Sequence, residues 1–318
     1  MKTFPRVAIV LINWNGFDDT SACIESLSEM DYPEYSIIVV DNASGCDDAA
    51  RLKEKYPFIN VLRNTINRGF AGGNNDGIKW AIANGFEFIW VLNNDTVVEK
   101  GSLRSQMKRM FDPEVGAVGS KIKIYSTDLI WSEGVDLIKI TLFPPHAGFF
   151  SNSGEGRRDD GMPAMHREVS YISGCSILLR GRMKNIFFDE RYFAYCEDMD
   201  LSRRIREEGY KLVYEPGSVV YHKVSKSTGG KKFGKTAAYY TYRNKLLFLK
   251  DACPRWKSIL LLPFYFLCML RDLWRIIFFY DGKADLFSAV FRGASDGIGY
   301  FISPASASKW RSVKVGPK

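Results

Sequence analysis

The six cysteines, at positions 23, 46, 175, 196, 253 and 268, include no C-x-x-C pair. Their spacing supports neither a zinc centre nor a disulfide framework, and reduced thiols in a cytosolic compartment are expected. Long apolar runs are also missing. The 12 uncharged residues from Ile259 to Leu270 stop at Arg271, Asp272 and Arg275, too short and too interrupted to span a bilayer. At the start, "MKTFPRVAIVLINWN" has an apolar run of only about six residues, broken by Asn13, with no small-residue cleavage site after it, so a secretory signal is not expected. No G-x-G-x-x-G follows "VAIVLI", which removes a dinucleotide-dependent dehydrogenase. Basic residues are scattered, without the aromatic-interleaved stripe of a nucleic-acid binder. Internal repeats and low-complexity segments are absent.

What is present is a globular composition, 46% hydrophobic and 25% charged over 318 residues. A net charge of +8 points to an anionic partner such as a membrane surface or a phosphorylated substrate. The first half alternates. "RVAIVLIN", "YSIIVVDNAS", "INVLRN" and "FEFIWVLNND" read as buried strands. "DTSACIESLSEM", capped by Asp19 or Thr20, "DDAARLKEKY" and "GGNNDGIKWAIANG", closed by Gly85, read as the helices between them. The spacing predicts an α/β domain, a mostly parallel sheet flanked by helices, whose ligands bind at the carboxyl ends of the strands. Polar residues gather at those ends: Asn13 to Asn15, Asp41 to Ser44, and Asn93 to Asp95. "PPHAGFFSNSGEGRRDDGMP" reads as a long loop, "VSYISGCSILLRG" as a strand, "EDMDLSRRIREEGY" as a helix, and "KLVYEPGSVVYH" as two short strands around Pro216 and Gly217.

Composition shifts near residue 251. Trp256, Trp274 and neighbouring Lys and Arg in "WKSILLLPFYFLCMLRDLWRIIFFY" suit a helix lying in a membrane interface; a helix packed on the domain or in an oligomer is the alternative.

Three stretches bear chemistry. Asp95, closing a strand, can hold a divalent cation that neutralises a diphosphate, or can simply make an Asx turn. Gly69, Gly72 and Gly73 precede a helix, where bare backbone N–H groups can meet phosphates, and Arg68 adds charge. Glu197, Asp198 and Asp200 open another helix; first-turn acids suit the dipole, and a fixed carboxylate there can take a proton from an attacking hydroxyl. His222 ends a strand 24 residues after Asp198. "GGKKFGKT", Gly229 to Thr236, fits the P-loop pattern, but "KVSKST" separates it from the preceding strand; a basic lid over phosphates is the better reading.

The ordered set "VLINWNG", "VVDNAS", "NRGFAGGNN", "LNNDT", "SGCSILLR", "FAYCEDMDLSRRIREEGYKLVYEP" and "VVYH" closely resembles family 2 glycosyltransferases of the GT-A fold, nearest the rhamnosyltransferase-like branch, over residues 5–250. The resemblance implies that Asn13, Asn15 and Asp41 bind the donor's base and ribose, and that Asn67, Gly69 and Asn74 line its diphosphate. Arg68, Gly72, Gly73 and Asn94 are expected in the same donor site. Asp95 stands where the family's D-x-D motif ends and is expected to hold Mg²⁺ or Mn²⁺, with Asn93 in place of the first acid. Asp198 matches the catalytic base, with Glu197 beside it, and His222 a metal or diphosphate ligand. Arg243 and Asn244 match a segment of this branch near the phosphates.

The implied chemistry is a one-step inverting transfer from a nucleotide-sugar donor, dTDP-rhamnose or a UDP-sugar, to a saccharide hydroxyl. Here Asp198 accepts the proton, and only one base is needed, not a glycosidase's carboxylate pair. Residues 1–250 are expected to form the catalytic domain and residues 251–318 a helical membrane-associating segment. The chain is expected on the cytoplasmic membrane face, acting on a lipid-linked saccharide, with a homodimer left open. Two other readings remain. One is a sugar-phosphate nucleotidyltransferase, though no glycine- and arginine-rich loop follows the first strand. The other is a non-catalytic sugar-nucleotide or membrane binder.

Overall fold

The computed structural model describes residues 4–135, 156–159, 161, 165–223, 234–280 and 282–303. Most of the expected long loop, and Gly229 to Phe233 of the expected lid, lie outside these residues.

Four largely apolar runs, all but the short third one mostly buried, make the first half of the sheet. They are β1 (Val7–Asn13), β2 (Tyr35–Asp41), β3 (Asn60–Arg63) and β4 (Phe88–Asn93), parallel in the order β3-β2-β1-β4. The helices α1 (Phe17–Ser28), α2 (Asp48–Lys55) and α3 (Gly69–Ala83) connect them. Successive side chains of a strand face opposite ways, so each strand feeds two cores. Ile9, Leu11, Val39 and Trp90 pack on Cys23, Ile24 and Leu27 of α1; Ala8, Val10, Ile38 and Val40 pack on Ala71, Ile78 and Ala81 of α3. At zero exposure, the Val, Leu and Ile side chains among them each contribute roughly 1.5–3 kcal/mol by burial.

The second half is mixed. After β5 (Thr96–Val98), α4 (Ser102–Met110), β6 (Val115–Ile124), β7 (Ile130–Ser132) and β8 (Arg167–Val169) comes β9 (Ser176–Arg180), inserted antiparallel between β4 and β6. Following α5 (Glu197–Glu207), β10 (Lys211–His222) runs parallel to β6 and antiparallel to β5 and β8. The sheet is thus parallel where strand–helix units repeat and mixed beyond β4. Where two short strands were expected around Pro216 and Gly217, β10 is one strand with a register shift between Glu215 and Val219. A bulge absorbs the proline, which cannot donate to the ladder.

Helix α1 begins at Phe17, two residues before the expected caps. Asp18 and Asp19 lie in its first turn, and the Thr20 hydroxyl donates to Asn13 Oδ1 at 2.9 Å. The last elements are α6 (Lys235–Ala252), α7 (Arg255–Phe279) and α8 (Lys283–Ile302). They share an apolar cluster built from Tyr242 and Leu246 of α6, Tyr265 and Ile276 of α7, and Val290 of α8. A second cluster ties Leu247 and Phe248 of α6 to Tyr171, Tyr192 and Met199. No described helix is long and apolar enough to cross a membrane.

Candidate active site

The carboxyl ends of β1, β2 and β4 meet because the strands are in register, Asn13 opposite Asp41 and Ile12 opposite Asn93. Asn13 is fully buried, and its amide donates to Asp41 Oδ1 at 2.9 Å and to Ser44 Oγ and Asp48 Oδ2 at 3.1 Å each. Asn13 therefore spends its amide on holding the β2–α2 loop. Asn15, in a left-handed conformation at φ 53°, accepts from the Gly45 N–H at 2.7 Å. Beside it, Phe17, Asp18, Asp48 and Arg51 border a cavity of about 300 Å³, with the Arg51 guanidinium 3.7 Å from the Phe17 ring centroid.

The glycine stretch is placed differently from expectation. Gly69, Gly72 and Gly73 do not precede a helix; they are buried inside α3. A Cβ on Gly69, whose φ is +70°, would lie 2.4 Å from the Phe193 carbonyl oxygen, and one on Gly73 would lie 3.1 Å from Ile12 Cδ1. At both positions the missing side chain admits other protein atoms. Arg68 donates to Asp76 and, at 2.8 Å, to Glu190, so its charge is spent within the protein. Asn67 Oδ1 accepts from the Gly69 N–H at 2.8 Å and from Asn42 at 3.0 Å. Asn42, within the polar end Asp41 to Ser44 of β2, joins that strand to this turn: its Oδ1 takes the Arg68 N–H at 3.0 Å. Asn74 donates to the Phe70 carbonyl at 3.0 Å, while its buried Oδ1 accepts nothing.

Asp95 Oδ1 lies 3.1 Å from His222 Nε2, because β5 pairs with the end of β10 and sets His222 opposite Thr96. Both are largely buried. Burial opposes charge on the Asp95 carboxylate, but His222 beside it holds its pKa below the usual value. Burial likewise opposes charge on the His222 ring, yet Cys175 and Asp95 drive its pKa well above the ordinary one. The Asn93 amide nitrogen is 3.5 Å from the same ring nitrogen, and Trp131 stands edge-on to the ring, 5.0 Å between centroids. Asn94 turns away and donates to Thr20 at 2.8 Å. Lys223 donates to Asp19 at 2.9 Å, tying the end of β10 to α1.

Asp198 sits in the first turn of α5. Its Oδ2 accepts from the Tyr171 hydroxyl and the Gly174 N–H, both at 2.8 Å, and its Oδ1 accepts from the Met199 N–H at 2.9 Å. Burial raises its pKa against the lowering effect of these donors, and the net direction is up. Glu197 is also buried, with Oε2 accepting nothing from the described residues; burial and the adjacent Asp198 push it well above the usual carboxylate range. Asp200 instead forms ion pairs at 2.7 Å with Arg203 and Arg204. The two acidic centres connect through three residues. Gly174 bonds Asp198, and the carbonyl of the next residue, Cys175, takes the Asn93 N–H at 2.9 Å, two residues before Asp95. Asp95, Asp198 and His222 thus gather around the segment Ser173–Cys175. Gly174 belongs to the motif "SGCSILLR", but nothing in the sequence marks Tyr171, and the stretch expected as one strand from Val169 is split, with residues 170–175 between β8 and β9.

Arg243 is not with them. Its guanidinium is buried on α6 and donates to the Arg191 and Tyr192 carbonyls at 2.7 and 2.8 Å. A loop preceding α5, not the strand ends, is what it holds.

The model of the family described as glycosyl transferase family 2 matches residues 8–172, just over half of the chain. The chain belongs to this family. As a family 2 glycosyltransferase it has relatives of several specificities. It is 25% identical over 265 residues to an N-acetylglucosaminyl-diphospho-decaprenol L-rhamnosyltransferase of Mycobacterium tuberculosis, covering 78% of this chain and 85% of that protein. It is 24% identical over 231 residues to a poly-beta-1,6-N-acetyl-D-glucosamine synthase of Staphylococcus aureus, covering 70% of this chain and 51% of the synthase. Among solved structures, a Pyrobaculum calidifontis mannosyltransferase in complex with GDP-Man and Mn²⁺ superposes with a TM-score of 0.54 at 15% identity, covering 98% of this chain and 89% of that one. S. aureus TarS, residues 1–349, does so at 0.53 and 15% identity, covering 97% and 90%. The glycosyltransferase fold is therefore GT-A, an α/β architecture with its sheet flanked by helices.

Among the described residues of this glycosyltransferase, no three His, Cys, Asp or Glu side chains cluster as metal ligands. Asp95 and His222 are a carboxylate and an imidazole already in contact, at the strand ends where a diphosphate would complete a cation's shell. That donor set fits a magnesium- or manganese-type ion, which needs only one or two protein donors when phosphates supply the rest.

Proposed function

We propose that this chain is an inverting, metal-assisted transferase of rhamnose, from a nucleotide diphosphate donor to a hydroxyl of a lipid-linked saccharide. The observation that carries the reading is the Asp198 carboxylate. It is held by Tyr171, Gly174 and Met199, and joined through Gly174 and Cys175 to the strand end that bears Asp95 and His222. Oδ1 accepts one bond from the protein and keeps a lone pair for a hydroxyl proton. An upward-shifted carboxylate is a better proton acceptor near neutral pH than an ordinary one. In the proposed step Asp198 takes the acceptor hydroxyl's proton as its oxygen forms a bond to the anomeric carbon and the bond to the nucleoside diphosphate breaks. Asp95 and His222 would hold a divalent cation, which supplies charge neutralisation for the departing diphosphate. The cavity beside Asn15 and Phe17 has room for part of the nucleoside, and Asn13, bonded to Asp41 and to Asp48 of the cavity's lining, holds the loop beside it.

Rhamnose and the lipid-linked acceptor come from the Mycobacterium relative's own activity and remain part of the proposal. So does the division of the chain into a catalytic region, residues 1–250, and a membrane-associating region, residues 251–318, at the cytoplasmic face. Its support is α7. Trp256, Leu260, Leu267, Leu270, Trp274 and Phe278 follow one another at one or two helical turns, and each is more than half exposed. Leu261, Tyr265, Met269 and Ile276 bury the opposite side, and Arg255 and Arg275 stand exposed beside the apolar face. A soluble monomer rarely shows water such a stripe.

The test is a panel of nucleotide sugars with Mn²⁺ or Mg²⁺, scored by nucleotide release and by the anomeric configuration of the product. Release from dTDP-rhamnose with inversion, abolished by Asp198→Asn with donor binding retained, is the expected result; retention of configuration would refute the single-base step. Flotation with anionic vesicles, lost on Leu260→Glu with Leu267→Glu, tests the membrane face.

A further inference from the structure

The segment that delivers Glu197 and Asp198 is unusual in its backbone. Phe193, Tyr195 and Cys196 have φ of 64°, 69° and 70°, the left-handed region in which non-glycine residues are strained. Such conformations persist only where the surroundings over-determine them. The surroundings are on α6. Asn244, fully buried, donates its Nδ2 hydrogens to the carbonyls of Tyr192, Ala194 and Tyr195 at 2.9, 2.7 and 2.7 Å. Arg243 Nε donates to Asn244 Oδ1 at 2.8 Å, which fixes the amide with its hydrogens toward the loop. Phe193 stacks on Tyr240 with ring centroids 4.9 Å apart, and its carbonyl accepts the Ala71 N–H of α3 at 3.0 Å. Five short N···O contacts from two adjacent side chains, the Asn244 hydrogens shared among three acceptors, thus converge on the carbonyls of Arg191, Tyr192, Ala194 and Tyr195.

We infer that Asn244, braced by Arg243, is a positioning residue that holds the Arg191–Cys196 loop in its left-handed conformation and thereby aims the Asp198 carboxylate. The inference rests on the reading of Asp198 as the base. Asn244 touches neither Asp198 nor any of the strand-end groups; it acts through the backbone between them. Loss of the amide releases the loop, and α5 keeps its fold while its first turn loses its fixed direction.

The experiment uses the full chain with Asn244→Ala, and Arg243→Lys as a milder second variant should the first not fold. Amide hydrogen exchange over residues 190–199 is expected to quicken by about tenfold or more in either variant, with exchange in β1 and β4 unchanged. With a nucleotide sugar that the panel shows to be turned over, kcat of Asn244→Ala is expected to fall about 100-fold, as for a displacement of roughly 1 Å, with donor KM held within about threefold. Adding Tyr195→Gly, which removes the left-handed strain at an exposed side chain, is expected to restore about tenfold of kcat relative to Asn244→Ala alone. Unchanged exchange over 190–199, or a fall in kcat that Tyr195→Gly does not relieve, overturns the positioning role. Full turnover in Asp198→Asn would instead defeat the reading of Asp198, and the exchange result would still decide whether the clamp exists.

Discussion

Replacing Tyr171 with phenylalanine removes one hydroxyl from a buried ring and takes from Asp198 Oδ2 a donor at 2.8 Å. The Gly174 N–H stays on the same oxygen and the Met199 N–H on the other. The lost bond favours the ionised carboxylate, so its removal raises a pKa that burial has already lifted. A hydrogen bond to a charged group contributes about 1.5–3 kcal/mol, and 1.36 kcal/mol corresponds to one pH unit, so the rise is roughly one to two units. The base must be ionised to act. The acidic limb of the pH profile of kcat/KM is therefore expected to move up by about that amount, with the rate well above the limb little changed. Glu197 shares the site, and the limb reports the two carboxylates together. Initial rates of nucleotide release in overlapping buffers from pH 5 to 10 measure it. A limb that stays in place while the plateau falls would show that Tyr171 does not touch the reacting carboxylate's ionisation, and would refute the assignment of Asp198.

Three shorter predictions accompany it. Glu197 has a pKa raised in the folded chain, so folding binds a proton there; stability is full below the ordinary value of 4.5 and declines as pH rises toward the folded pKa. Glu197→Gln is expected to flatten that decline, with a higher melting temperature than the parent at pH 8 and little difference at pH 4. Gly77→Ala would set a Cβ 2.3 Å from Val10 Cγ1 where α3 crosses β1, and is expected to destabilise by about 1–3 kcal/mol in urea titration, with Gly85→Ala, which meets nothing within 4 Å but has φ +73°, as a purely backbone comparison. Asp95→Asn is expected to weaken Mn²⁺ stimulation of turnover by at least about tenfold in metal titrations; equal stimulation in the variant would remove Asp95 from the metal's shell.

The long strands of the first half are legible because β1, β2 and β4 are uninterrupted apolar runs ending in Asn13, Asp41 and Asn93, and a strand's polar end announces the ligand edge of a parallel sheet. The gathering of Asp95, Asp198 and His222 is what the family resemblance implies; their places at two strand ends and a helix start are compatible with it but do not dictate it. Other features depend on partners distant in the chain. "GFAGG" looks the same whether its glycines admit phosphate or Phe193 and Ile12; only the folded approach of those groups decides. Arg243 and Asn244 match a segment of the resembled branch expected near the phosphates, yet their acceptors are carbonyls some fifty residues upstream, which no local pattern encodes. Pro216 and Gly217 signal a break, but not that β6 continues alongside and carries β10 past it as one strand.

The insertion of β9 between β4 and β6 has a consequence for synthesis. The first four strands can pair as soon as β4 leaves the ribosome, but β4's outer edge, with Ile89 and Val91, finds its partner only when β9 emerges about 90 residues later. At 5–20 residues per second that is roughly 4–18 s of an apolar, open hydrogen-bonding edge on a nascent chain. Chaperone demand from this edge should thus begin after Asn93 and end near Arg180, while the β6 edge waits further for β10, Lys211–His222.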